Sequence, residues 1–148
     1  MISIDANLLL YAVSSRAPEH SESLAFLHSL AARDDVALSE FVLTEFYLHL
    51  RNPAVLERPL SASAAADVVR SFRCHPIWQI VGFPPTSRAL HDELWSRAAD
   101  SGFARRRIYA VRTALALQAF GVRDFATATV HDVSGLGFRR VWNPLLPP

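Results

Sequence analysis

The chain of 148 residues has no lysine at all and a single cysteine, Cys74. One cysteine excludes an intramolecular disulfide, and Cys74-His75 supplies too few ligands for a cysteine-rich zinc site. A reducing, cytoplasmic setting is the expectation. Long apolar runs are missing too: the longest early stretch, 6–13, follows Asp5, has no basic segment before it and falls well short of the roughly 20 residues that span a bilayer. Neither an export signal nor a membrane span is expected. No repeat, linker or low-complexity run divides the sequence, so residues 1–148 read as one domain, long enough to build a hydrophobic core.

With lysine absent, all fifteen basic residues are arginine, and the net charge is only +1. Their distribution is uneven. Residues 1–67 hold four Arg against nine acids, and residues 68–148 hold eleven against five. Arginine suits phosphate, because its planar fork donates two parallel hydrogen bonds. A wholly arginine complement also follows from genomic base composition, in which case most of these side chains simply solvate the surface.

Apolar spacing yields an alternation of strands and helices. Ile2 to Ile4 reads as a buried strand, with a helix starting near Ala6. A helix over 21–33 carries Leu24, Leu27, Leu30 and Ala31 on one face and closes at Asp34-Asp35. Val36 to Leu38 is a short strand; Ser39 is a candidate N-cap for a helix over 41–50, which Asn52-Pro53 terminates. Further helices are expected from Ser61 or Ser63 to about Arg73 and from Ser87 to about Ala99. The second of these stops at Asp100-Ser101-Gly102. Trp78 to Val81 reads as a strand. Ile108 to Phe120 is apolar on most faces, which predicts a central, buried helix, and Gly121 sits where a left-handed C-cap belongs. Phe125 to Ala128 and Arg140 to Trp142 complete the strands. Alternation without tight hairpin signals argues for a mostly parallel sheet of four to five strands covered by helices, an α/β fold.

Two acids stand out against this background. Asp5 directly follows the first strand, where ligand sites form in parallel sheets, and Glu45 lies inside an otherwise apolar helix. Burying an unpaired carboxylate costs several kcal/mol, roughly, so such acids are held by a cation or by hydrogen bonds. Each has a plainer reading. Asp5 fits the N-cap of the helix that follows it, and Glu45 can pair with His49 or Arg51 along its own helix. Asp132 serves equally as a turn residue. The six histidines lack metal-ligand spacing, and Trp78, Trp95 and Trp142 read as packing residues more readily than as base-stacking platforms.

Taken together, these segments resemble the PIN-domain ribonucleases, and within them the VapC-type toxins of bacterial toxin–antitoxin pairs. MISIDANLLLYA is similar to the family's opening strand with its first metal-binding acid, here Asp5; LTEFYLHLRNP is similar to the helix bearing its Glu, here Glu45. GVRDFATATVHDVSGLGFRRVWNPL resembles the ending of one branch. The resemblance covers nearly the whole chain. It implies a three-layer α/β/α domain, a Mg²⁺- or Mn²⁺-dependent endoribonuclease acting on RNA such as tRNA, a VapB-type antitoxin and a homodimer.

The chain departs from that branch where it matters most. Members usually read Ile-Tyr-Asp-Ala-Arg-Thr-Ala-Leu where this chain has Ile108-Tyr109-Ala110-Val111-Arg112-Thr113-Ala114-Leu115, so Ala110 stands in the place of a third acid. An engineered inactivating exchange and a natural loss both fit, and the intact remainder of the helix favours the first. The expected Asn or Asp after the fourth strand is Thr129, and the expected Asp-Phe pair is Asp132-Val133. Hard cations such as Mg²⁺ take oxygen ligands, acidify a bound water and neutralise charge on a phosphate under attack. On the resemblance, Asp5 and Glu45 are the metal ligands and Asp132 a supporting group. Arg105, Arg106, Arg107, Arg112 and Thr129 are the candidate substrate contacts. A weakened or silent nuclease, an RNA-binding module and an antitoxin-binding module all remain open from the sequence.

Overall fold

Strand, loop and helix alternate through nearly the whole computed structural model, which describes residues 1–147. In chain order the elements are β1 (Ile2–Ile4), α1 (Ala6–Val13), α2 (His20–Leu30), β2 (Ala37–Ser39), α3 (Glu40–Leu50), α4 (Ala62–Arg73), β3 (Gln79–Val81), α5 (Ser87–Ala98), α6 (Arg107–Ala119), β4 (Asp124–Ala126), α7 (Val130–Val133) and β5 (Arg140–Trp142).

All strand pairs are parallel. Ile4 lies opposite Ala126 and Ala126 opposite Trp142, giving the order β1-β4-β5; Leu38 lies opposite Ile80 in a separate β2-β3 pair. The two pieces meet at a single parallel bridge between Ile2 and Val36, supported by a 2.8 Å hydrogen bond from Ile2 N to Asp35 O. Of the four to five strands expected, five are present, as a three-stranded and a two-stranded sheet joined at β1. Each strand is only three residues long, so a single bridge is all the ladder that β1 and β2 share.

The strands' two-residue period divides the core between two faces. Ile4, Leu38 and Ala126 pack toward α1, α2 and α3 with Leu9, Leu43 and Phe46; Ala37, Val81 and Phe125 pack toward α5 and α6 with Leu94, Val111 and Leu117. Helices thus cover both sides, the arrangement a buried parallel sheet needs. Leu9, Phe46 and Leu117 are completely buried, each contributing about 1.5–3 kcal/mol of apolar transfer energy.

Local chemistry sets the boundaries. Ser39 caps α3 by accepting from Phe41 N at 3.1 Å, and Ser61 caps α4 by accepting from Ala64 N at 3.2 Å. Asn52 and Asp100 end their segments by accepting from Ala54 N and Gly102 N, the local side-chain bonds that compete with helix continuation. Gly121 follows α6 at φ +83°, a left-handed conformation that side chains with a Cβ resist. One expectation needs correction: α6 is not buried all round. Val111, Ala114, Ala116 and Leu117 are buried, while Tyr109 on the same helix is 65% exposed, because α6 is an outer layer with only one face on the sheet. The short helix α7 has too few residues to show a periodic pattern and was not expected.

Candidate functional site

Asp5 leaves β1 at its carboxyl end, between the backbones of two strands. Its amide donates to Ala126 O at 2.9 Å, which holds it beside the segment that follows β4. Asp5 Oδ1 accepts from Ala6 N at 2.7 Å, the helix-capping role. Asp5 Oδ2 accepts from Asn7 Nδ2 at 3.1 Å and from Thr127 Oγ1 at 2.5 Å. Asn7 Nδ2 also lies within 3.3 Å of the hydroxyls of Thr127 and Thr129, and Asn7 Oδ1 accepts from Ala128 N. This network ties the start of α1 to the end of β4.

Burial dominates the electrostatics of Asp5 and pushes its pKa up to about 6, with the nearby Glu45 charge adding to the rise; the Thr127 and Ala6 hydrogen bonds and His49 oppose it. Desolvation favours the neutral carboxyl and donors favour the charged one. Here desolvation wins.

Glu45 approaches from α3, but it is not a core acid. Its side chain is 53% exposed, and His49 Nε2 lies 3.4 Å from its Oε1 one helical turn away. The hydrogen bond to Glu45 holds the His49 pKa above its ordinary value against the opposing effect of burial. Arg51 turns instead to Tyr47, donating to its hydroxyl at 3.2 Å.

Both acids open into one cavity of about 960 Å³, which Ala110, Arg112, Thr129 and Asp132 also line. The fold therefore brings together the four site positions anticipated from sequence: Asp5, Glu45, position 110, and the segment after β4. Ala110 is half-buried against the α5–α6 core and faces this cavity. Arg106 and Arg107 line it as well, whereas Arg105 does not. Asp132 is exposed and sits 2.8 Å from His131 Nε2.

The donors present do not make a resident site for a divalent cation. Among the described residues no three His, Cys, Asp or Glu side chains are grouped closely enough to hold a metal. Both Asp5 oxygens already accept hydrogen bonds, and Glu45 faces His49. The residue that a third carboxylate would occupy carries only a methyl group.

Two members of the site escaped sequence reading. Asn7 and Thr127 bind Asp5 directly, but they lie 120 residues apart and neither stands out in its local pattern. The only available signal was that Asn7 begins a helix directly after a strand-end acid. Trp95 also needs correction: Trp78 is buried with its indole donating to Leu30 O, and Trp142 packs edge-on against Phe26, but Trp95 is 60% exposed.

No protein-family model matches the chain. Ribonuclease VapC24 of Mycobacterium tuberculosis, from strains CDC 1551 / Oshkosh and H37Rv, is 43% identical over 145 residues, covering 98% of this chain and 97% of the relative. Among solved structures, Mycobacterium tuberculosis VapC20, a sarcin-ricin loop cleaving toxin, superposes with a TM-score of 0.67 at 13% identity, over 91% of this chain and 95% of that one. FitAB bound to an IR36 DNA fragment gives a TM-score of 0.67 at 18% identity, over 100% and 98%. VapBC2 from Rickettsia felis, bound to a promoter DNA fragment, gives 0.60 at 16%, over 95% and 98%. At these identities the structural likenesses concern the fold alone.

Proposed function

The chain belongs to the VapC-type PIN-domain ribonuclease toxins, and from that premise we propose that it is a single-domain endoribonuclease scaffold whose hydrolysis of RNA phosphodiesters is weakened or lost at Ala110. The observation that supports this reading is the shared cavity: Asp5, Glu45 and Ala110 line one cleft, as they would if position 110 were a third metal-ligand position. Ribonucleases of this family are typically metal-dependent, and Mg²⁺ or Mn²⁺ is the expected cofactor of an intact site. A cation of this kind is commonly held by one or two carboxylates together with substrate phosphates. Here the supply of carboxylates is at its lower limit, and one of them, Asp5, resists ionisation.

Substrate binding falls to other residues. Arg106, Arg107 and Arg112 bring positive charge to the cleft, while Asn7 and Thr127 fix the Asp5 carboxyl and Asn7 also donates to Thr129. A VapB-type antitoxin is the proposed inhibitor, a homodimer the proposed assembly and the cytoplasm the proposed location. No helix among the described residues is long and apolar enough to cross a membrane.

The second reading is a catalytically silent module that binds RNA or antitoxin. It is favoured by the absence of a three-ligand cluster among the described residues. Cleavage of a mixed tRNA pool with Mn²⁺ or Mg²⁺ separates the two, comparing the chain with Ala110→Asp and adding Asp5→Ala to each. The first reading expects cutting by Ala110→Asp, little or none by the chain itself, and abolition by Asp5→Ala. If neither form cuts while both bind RNA or antitoxin, the nuclease reading fails and the binding module stands.

A further inference from the structure

Three large aromatic side chains at the α5–α6 pair lie open to solvent, Trp95 and Tyr109 on the helices themselves and Phe83 in the loop before α5, against Phe41. Phe83, Trp95 and Tyr109 are 64%, 60% and 65% exposed, although rings of this size bury readily and dominate cores. A second, smaller cavity of about 250 Å³ lies here, lined by Trp95 and Tyr109 with His91, Leu94, Ile108 and Arg112. Tyr109 and Arg112 also line the Asp5 cleft, so the two cavities adjoin through these side chains.

Arg112 is held unusually for a cation. Its guanidinium carbon sits 4.4 Å from the Phe41 ring centre and 5.6 Å from that of Tyr109, and its Nε is buried with no hydrogen-bond partner. Among the described residues Arg106, Arg107 and Arg112 make no ion pair, whereas Arg33, Arg73 and Arg139 each hold a carboxylate. A positive group fixed on aromatic faces and left without an anion is arranged for one that arrives with a ligand. Aromatic rings beside it offer stacking surfaces.

We propose that Trp95 and Tyr109 form a stacking subsite for one unpaired nucleobase of the RNA, with Arg112 beside it meeting the phosphate bound in the Asp5 cleft. The assignment rests on the RNA reading of that cleft and requires that the base taken up be unstacked, as in a loop or single strand, since one within a continuous A-form duplex is not free to enter. Bases in a duplex are stacked on one another and expose no face, whereas splayed bases stack on aromatic and guanidinium planes. The smaller cavity also favours this occupant over a protein helix. One helical turn, roughly 10 Å across and 5.4 Å long, exceeds its volume, while a single flat ring system does not.

The test is equilibrium binding of the full chain, without divalent metal so that nothing is cut, to a short labelled single-stranded RNA, the same sequence as a duplex, and a single strand carrying abasic sites. Trp95→Ala, Trp95→Phe and Arg112→Ala are compared with the unaltered chain, with circular dichroism and sedimentation verifying fold and oligomeric state. The subsite predicts that the intact single strand binds tighter than the abasic one. It also predicts that Trp95→Ala weakens that binding about five- to a hundredfold, that Trp95→Phe retains most of it, and that duplex binding stays unchanged. If Trp95→Ala leaves single-strand binding intact while Arg112→Ala reduces it, the subsite is overturned and the RNA reading survives. Failure of the unaltered chain to bind any RNA overturns both. A change of oligomeric state in Trp95→Ala, with abasic and intact strands bound alike, overturns the subsite and makes this face an interface between copies of the chain.

Discussion

Thr127 Oγ1 donates a 2.5 Å hydrogen bond to Asp5 Oδ2 across 122 positions of sequence. Two adjacent parallel strands make the meeting possible: β1 ends at Ile4 and β4 at Ala126, which are direct partners, so the next residue of each strand emerges at the same edge. The bond is the largest of the influences that keep the buried Asp5 carboxyl from rising further above its ordinary pKa.

Replacing that donor should therefore act on ionisation and stability together. In Thr127→Val the Asp5 pKa moves up from about 6, and the fold loses about 1–3 kcal/mol at pH 8, where the carboxylate is charged. Near pH 4 the loss is smaller, because the neutral carboxyl needs the donor less. Carboxyl carbon NMR titration and denaturant unfolding at both pH values check this. Equal losses at the two pH values would show that Thr127 acts by packing alone.

Asp5 itself should cost stability at neutral pH. Its folded pKa, about 6, lies above the ordinary aspartate value of 3.8, so the folded state holds the proton more tightly. Stability contributed by the protonated form is complete below about pH 4 and is lost as pH rises through about 6. The shift corresponds to about 2–3 kcal/mol at pH 8, and Asp5→Asn should recover part of it while leaving stability at pH 4 nearly unchanged. Thermal unfolding of both proteins across this range is the measurement. A variant less stable than the parent at pH 8 contradicts the expectation.

His49 offers an independent reporter of the same cleft. The Glu45 hydrogen bond is the main cause of its raised pKa, so Glu45→Gln should bring that pKa down, toward or below the ordinary histidine value, since burial then acts with less opposition. The imidazole resonances of His49 titrated with and without the substitution give the answer. No movement would mean that the 3.4 Å approach is not maintained in solution.

Salt dependence should identify which arginines meet phosphate. Each Arg–phosphate contact with a single strand contributes about 0.7 to the slope of log K against log salt. Arg107→Ala and Arg112→Ala should each reduce the slope by about that amount. Arg105→Ala should not, because Arg105 lies outside the cleft lining. Binding isotherms at a series of salt concentrations suffice, and an equal effect at Arg105 would point to diffuse surface attraction.

Much of the fold was legible locally. The strand triplets Ile2–Ile4 and Arg140–Trp142, the serine cap at position 39 and the glycine after α6 each express a preference of a few adjacent residues, and the structure keeps them. Asp5, Glu45 and Ala110 were similarly singled out by their local motifs, and one cavity does gather them. Burial was not legible in the same way. An apolar helix such as α3 still has an outward stripe, and Glu45 lies on it. The same holds for Tyr109 and Trp95, whose hydrophobic character said nothing about which layer would cover them.

The sequence by itself determined the order of the strands and of the helices other than α7, several of their caps and the presence of an acid after the first strand, because propensity, capping and periodicity act over a few residues. Only the tertiary structure decided that Thr127 and Asn7 hold Asp5, that Asp5 resists ionisation while Glu45 stays at the surface, and that Arg112 lies between two rings without a carboxylate. These are matters of distance and desolvation between segments far apart in the chain, and strand pairing, not local sequence, sets them.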